Sequence, residues 1–278
     1  MGVLNTTPDS FYDGGRYSSA QSIADRVVEL VQEGADIIDV GGESTRPRAE
    51  PVPANEQIAR VEGAVRAAVA SGALVSIDTG SPEVAERALS LGASIVNDVT
   101  CLADPDLAAV SARFGAVLIV MHSRGPMQKM TGFSQYAEDG YGDVVEDVLG
   151  EWRSARDRAV AAGLAESQVW LDPGIGFAKN ARQSYALLSG LDRLCGEGVP
   201  VVVGASRKSF ISAADPAPPE RRLGGSLAAG LSAASRGAAV LRVHDVGEMR
   251  QALAVERAIR LGFAAPPPER PSAEVQHA

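Results

Sequence analysis

Residues 93–99, Ala93-Ser94-Ile95-Val96-Asn97-Asp98-Val99, start as a buried β-strand and close on an amide and a carboxylate side by side. Both groups cost free energy to desolvate unless they find partners. Working outward from this stretch, the same arrangement recurs. Short Val- and Ile-rich runs occur at 2–4, 37–40, 74–77, 94–96, 116–121, 169–171, 199–203 and 238–243. The runs are continuous rather than alternating, as expected of parallel strands covered on both faces.

Helical patterns separate the runs. Ile23, Val27, Leu30 and Val31 form one apolar face, with Ser18 or Ser19 as cap and Gly34 as stop. Ser81-Pro82-Glu83 reads as an N-cap followed by proline at the first helical position, and Gly92 ends that helix. Eight strand–helix units without a break in composition predict a (β/α)8 TIM barrel over residues 1–262 as a single domain. An open doubly wound sheet is the rival, but no G-x-G-x-x-G follows the first strand. The final stretch, residues 263–278, is Pro-rich and polar and reads as a disordered tail.

Bulk properties narrow the function. The 278 residues are 45% hydrophobic and carry a formal charge of -9. That charge disfavours a nucleic-acid partner, so an anionic ligand must be held by local cations. Cys101 and Cys195 lie in no metal-type spacing and read as reduced thiols of a cytoplasmic protein. No apolar run is long enough to span a membrane. Met1-Gly2-Val3-Leu4-Asn5-Thr6 fits a myristoylation pattern, but it reads better as a strand with a functional end.

Each predicted strand ends on polar residues: Asn5, the run Asp39 to Pro47, Asp78, Asn97-Asp98, His122, Asp172, Ser206-Arg207-Lys208, and Arg242 to Asp245. Any one of them could be a satisfied core group or a helix cap, and Asp98 and Asp245 read that way. Together they mark the C-terminal mouth of the barrel, where buried polar groups make a binding site. Asp78, Asn97 and Asp172 offer two carboxylates and an amide, which suit a flat heterocycle with neighbouring N–H groups. Arg46, Lys208, Arg242 and His244, with the hydroxyls of Ser44 and Thr45, suit a phosphate or diphosphate. Asn5 could help hold a Mg²⁺ that keeps most of its waters. No Walker A, H-E-x-x-H or G-x-S-x-G motif is present.

The ordered motifs MGVLNTTPDSFYDGG, DIIDVGGESTRP, VSIDT, VNDV, VMH, LDPGIGFAKN, GASRKSF and RVHDV resemble those of the dihydropteroate synthases, pterin-binding barrels, over about residues 1–262. The resemblance implies condensation of 6-hydroxymethyl-7,8-dihydropterin diphosphate with 4-aminobenzoate, Mg²⁺ as cofactor, a homodimer and inhibition by sulfonamides. It implies a pterin pocket of Asp78, Asn97, Asp172 and Lys208. Asn5 matches the metal and diphosphate contact, and Thr45, Arg242, Val243 and His244 the anion site. Asn5, Lys208, Arg242 and His244 are thereby the catalytic set. Phe11, Arg46, Pro47, Phe177 and Ser209 match the surroundings of the aminobenzoate, whose carboxylate would meet a helix N-terminus beginning at Ser209.

The sequence departs from the family in four places. Members usually carry an N-terminal hairpin before the first strand, and here Met1 starts it. Arg48 stands where the family has Gly, Ser81 where a basic residue is common, and residues 125–143 form an elaborated surface loop. The rival readings are a pterin-binding methyltransferase working with a corrinoid partner and a non-catalytic pterin-binding paralogue. The first has little use for the SRKS and RVH cations; the second should have lost them.

Overall fold

The structure, a computed structural model, describes residues 1–6, 20–43, 51–125, 136–137 and 140–262. Parallel strands and helices alternate: β1 Gly2–Asn5, α1 Ala20–Gln32, β2 Ile37–Gly41, α2 Ala54–Ala70, β3 Leu74–Asp78, α3 Pro82–Ser90, β4 Ile95–Asp98, α4 Asp106–Arg113, β5 Val117–Met121, α5 Val144–Ala161 and β6 Val169–Asp172. Then come α6 Ala181–Ser189, α7 Leu191–Cys195, β7 Val202–Val203, α8 Ile211–Ala214, α9 Leu223–Ser235, β8 Val240–Leu241 and α10 Val246–Leu261.

Strands β1 to β6 form one parallel sheet, and β7 pairs with β8. Single bridges, Leu171 with Val201 and Gly2 with Val243, join the two sheets on either side. Reciprocal bonds Val243 N–H to Met1 O (3.0 Å) and Val3 N–H to Val243 O (3.1 Å) complete the ring at β1. The expected barrel is present. Strands β7 and β8 are shorter than the apolar runs predicted, while β1, β3, β4 and β6 extend to take in Asn5, Asp78, Asn97, Asp98 and Asp172.

Local chemistry sets the helix ends. The Ser81 hydroxyl accepts from Val84 N–H, with Pro82 at the first helical position of α3. Gly92, at φ +107°, follows the helix in a conformation that other residues rarely adopt. The Asp143 side chain caps α5 in the same way, accepting from Val145 and Glu146 N–H.

Side chains alternate across each strand. One set packs outward against the helices, where Val40, Val65, Ile77, Val96, Leu118, Val120 and Leu171 belong to a single continuous core. The other set fills the barrel. Its floor is apolar, built from Met1, Ile37, Ile95, Ile119 and Val202. Above that floor the interior turns polar, and register places Asp39 beside Ser76, Gly41 beside Asp78, Asp78 beside Asn97 and Met121 beside Asp172.

Candidate active site

The acceptors come from the ends of β3, β4 and β6. Asp78, Asn97 and Asp172 are 6%, 3% and 4% exposed, so each carboxylate or amide sits in a nearly dry wall. Asp172 Oδ1 accepts from Gly174 N–H at 2.7 Å, which fixes the side chain and leaves its other oxygen for a ligand. Asn5 is exposed at the end of β1. Gly41 lies between it and Asp78; a Cβ there would lie 3.3 Å from Asn5 Oδ1, a tight contact, and 3.6 Å from Asp78 Cβ.

The cations approach from β7 and β8. Lys208 Nζ donates to Ile175 O at 2.7 Å and stands 4.3 Å from the centroid of the Phe177 ring, a cation–π contact. Phe177 itself is buried against Met121 and Ala178. Arg242 spans two carboxylates, Nε to Asp39 Oδ2 at 2.6 Å and Nη2 to Asp78 Oδ2 at 2.7 Å. The Ser206 hydroxyl lies 3.3 Å from His244 N–H and 3.0 Å from His244 Nδ1. The hydroxyl accepts from the backbone N–H, and toward Nδ1 it donates or accepts according to the imidazole tautomer.

Burial sets the charge states. It pushes Asp78 up to about 7 against the pull of Arg242, with Asp39 and Asp98 adding repulsion. Burial also raises Asp172, opposed chiefly by Lys208. It lowers Lys208 to about 7, opposed by Asp172. The Asp172–Lys208 pair is thus drawn toward its neutral forms, and mutual attraction holds it back. Burial opposes charge on Arg242 too, but Asp39 and Asp78 outweigh it, so the guanidinium remains a cation. His244 falls to about 4 through burial and the nearby Arg242 and Arg207, and is neutral near pH 7.

Two expected residues, His122 and Val243, face away from the mouth, and the helix expected to begin at Ser209 is short. His122 ends β5 but turns outward, because Met121 before it faces inward beside Asp172. Its Nε2 meets Glu151 at 2.9 Å and its Nδ1 meets Lys179 Nζ at 2.9 Å. Burial and Lys179 lower His122 to about 4, so the ring serves as a neutral structural bridge. Val243 places its side chain in the outer core and both backbone groups in the ring closure, so it presents nothing to the mouth. The helix expected at Ser209 begins at Ile211 and is four residues long, while Ser209 O accepts from Ser212 N–H at 3.0 Å. A single turn offers little dipole to an anion.

Asp98 and Asp245 are structural, as read from the sequence. Asp98 accepts from Thr100 N–H and Oγ1 (2.8 and 2.6 Å) and from Leu102 N–H (2.5 Å). Asp245 pairs with Arg207. Phe11, Ser44, Thr45, Arg46, Pro47 and Arg48, the caps Ser18 and Ser19, most of the 125–143 loop and the 263–278 tail lie outside the described residues.

Two buried charges have roles that the sequence reading did not assign. Asp39 is fully enclosed in β2. Lys179, also fully enclosed, contacts His122 O at 3.3 Å, Gly174 O at 3.2 Å and Phe177 O at 3.0 Å, and so braces the loop that carries Phe177. A lysine two residues past Phe177 in LDPGIGFAKN was the available signal. For Asp39 it was one acid inside the otherwise apolar run Ile37 to Val40.

Among the described residues, no group of three His, Cys, Asp or Glu side chains could hold a metal ion. Asn5, a lone neutral oxygen donor at the mouth, suits a Mg²⁺ that takes its remaining ligands from phosphate and water.

A sequence model of the family described as "Pterin binding enzyme" matches residues 1–244. The chain is 41% identical to a probable bifunctional folylpolyglutamate synthase/dihydropteroate synthase of Haloferax volcanii, over 94% of this chain but 30% of that protein. It is 39% identical to the dihydropteroate synthase of Streptococcus pyogenes serotype M6, over 92% of this chain and 93% of the relative. The solved Xanthomonas albilineans dihydropteroate synthase with 4-aminobenzoic acid superposes with a TM-score of 0.85 at 39% identity, covering 96% of this chain and 93% of that one. The chain belongs to the pterin-binding enzyme family and, within it, to the dihydropteroate synthases.

Proposed function

We propose that this transferase joins 6-hydroxymethyl-7,8-dihydropterin diphosphate to 4-aminobenzoate, giving 7,8-dihydropteroate and diphosphate. One observation carries the reading: acceptors Asp78, Asn97 and Asp172 and cations Lys208 and Arg242 converge at the C-terminal ends of the strands, with Arg242 in direct contact with Asp78. The acceptors suit the N–H edges of a pterin, and the cations suit the leaving group.

An aniline nitrogen is a weak nucleophile, so the electrophile must be made strong. Arg242 and the His244 imidazole, in its Nε2–H tautomer, stabilise negative charge as the C–O bond to diphosphate breaks. The acceptor wall holds the pterin while its exocyclic carbon becomes cationic. Phe177 and Lys208 form the side from which the arylamine attacks, and its surplus proton passes to solvent. Mg²⁺ bound at Asn5 would supply further charge neutralisation at the diphosphate. No step needs a nucleophilic side chain; catalysis is orientation plus electrostatics. A sulfonamide, an aniline bearing an acidic group opposite, fits the same arylamine side.

The test is a mixture of radiolabelled 4-aminobenzoate, the dihydropterin diphosphate and Mg²⁺. Labelled dihydropteroate, formed only with Mg²⁺, is the expected result. Pterin binding without product would mark a non-catalytic paralogue, and methyl transfer to a corrinoid protein would mark the methyltransferase.

We further propose a cytoplasmic homodimer. Both cysteines are unpaired, and no helix among the described residues is long and apolar enough to cross a membrane. Helix α10 leaves Val255 and Ile259 55% and 80% exposed, an apolar stripe suited to a second copy.

Two expected results follow from the polar chamber. Ionised Asp78 is the stronger acceptor for a pterin N–H, and burial pushes its pKa up to about 7, so pterin affinity should fall as pH drops from 8 through 7. The loss should be at most tenfold per pH unit below the pKa, and Asp78→Asn should flatten that dependence. Calorimetry of 6-hydroxymethylpterin across this range is the measurement; a flat parent profile would remove Asp78 from the pocket. Asn5→Ala should lower turnover and raise the Mg²⁺ concentration needed, while leaving binding of a pterin without diphosphate nearly unchanged. Equal losses for both ligands would make Asn5 a structural residue.

A further inference from the structure

We propose that Asp39 is a positioning residue: it anchors Arg242 by Nε and lets the rest of the guanidinium swing from Asp78 to the diphosphate when the pterin binds. The inference rests on the reading of the site as one for a pterin diphosphate.

Asp39 cannot touch the substrate. It is 0% exposed and lies one inward step below the mouth, level with Ser76, while Gly41 and Asp78 form the level above. Its Oδ2 takes two donors, Arg242 Nε at 2.6 Å and Asn97 Nδ2 at 3.2 Å. Its Oδ1 has no hydrogen-bond partner among the described residues. A buried carboxylate with a purely structural task is normally satisfied on both oxygens. Here both bonds go to side chains that face the ligand chamber, one on each side of it.

Arg242 reaches this position from the far end of the chain, 203 residues from Asp39. Its guanidinium is planar, with five donors fixed in a fork. Asp39 takes the Nε–H, and Asp78 takes one Nη2–H. A guanidinium also resembles the N–H edge of a pterin, so Arg242 and the pterin compete for Asp78. Displaced from Asp78, Arg242 would be lost to the site if nothing else held it. Asp39 keeps the Nε end in place, and the freed Nη groups turn toward the anion. Filling the pterin wall thereby supplies the cation for the leaving group.

The experiment compares affinities for reduced 6-hydroxymethylpterin and for its diphosphate, by calorimetry, in the parent, Asp39→Asn, Arg242→Gln and the double variant. The readout is the preference for the diphosphate, the ratio of the two dissociation constants. Arg242→Gln should reduce that preference strongly. Asp39→Asn should reduce it about tenfold, and should reduce it no further in the Arg242→Gln background. An unchanged preference in Asp39→Asn, or an equal reduction in both backgrounds, would overturn the proposal. If Arg242→Gln itself leaves the preference intact, the assignment of Arg242 to the diphosphate fails, and Asp39's role with it. If the parent binds neither ligand, the pterin reading fails instead. Should Asp39→Asn not fold, Asp39→Glu keeps the buried charge, displaces the anchor by one methylene and should lower the same preference.

Discussion

Gly174→Ala is expected to abolish cooperative folding. Gly174 adopts φ +64°, and a Cβ built there would lie 2.0 Å from His122 O. That oxygen belongs to backbone and cannot rotate aside. His122 N–H is tied to Asp172 O at 2.8 Å, and Lys179 Nζ contacts both His122 O and Gly174 O. Relief would require parting β5 from β6 at the level of the acceptor wall. The left-handed conformation alone costs an alanine about 1 kcal/mol. With the clash, the penalty should be on the order of 5 kcal/mol, a large share of a typical domain's whole stability. Soluble yield and a thermal melt by circular dichroism are the checks. A melting temperature within a few degrees of the parent would mean that the loop has another conformation to adopt.

Asp172→Asn should separate fold from recognition. The new side chain keeps its oxygen on Gly174 N–H, the bond that Asp172 now makes at 2.7 Å. Its amide nitrogen then faces the chamber, placing a donor where the pterin also presents donors. Losing a charged hydrogen bond in a buried site costs about 2–3 kcal/mol, roughly a hundredfold in affinity. Burial disfavours the ionised form of Asp172 while Lys208 favours it, so the neutral amide should leave the melting temperature within a few degrees of the parent's. Calorimetry with a pterin ligand and a parallel melt distinguish the effects. Unchanged affinity would take Asp172 out of the pocket, and loss of affinity together with the fold would make it structural.

Sequence disclosed position better than facing. Unbroken apolar runs locate the strands because both faces of a parallel sheet are covered, and polar residues at their ends locate the mouth. Facing follows a period of two, and one residue's error reverses it. Asn97 looks into the barrel and Asp98 away; Met121 looks in and His122 away. Only register distinguishes them, and register is a relation between strands. Val243 is similar: its neighbours Arg242 and His244 contribute to the chamber while it closes the ring. The role of Asp39 was hidden because its partner Arg242 is remote in sequence, so an acid at the end of an apolar strand gave no local sign of a cation. Lys179 was hidden because a loop lysine is ordinarily solvated, and here four acceptors enclose it.

The barrel is unevenly stitched. β2 and β3 share five register pairs, β7 and β8 share two, and single bridges join that short pair to its neighbours on both sides. Backbone opens first where the fewest bonds must break together. Breathing should therefore concentrate in the sector that carries Lys208 and Arg242, while the staves bearing Asp78 and Asn97 stay stiff. On the proposed reading, one scaffold would have two mechanical characters: rigid where it reads a flat ring by its edges, compliant where it must let go of a spent anion.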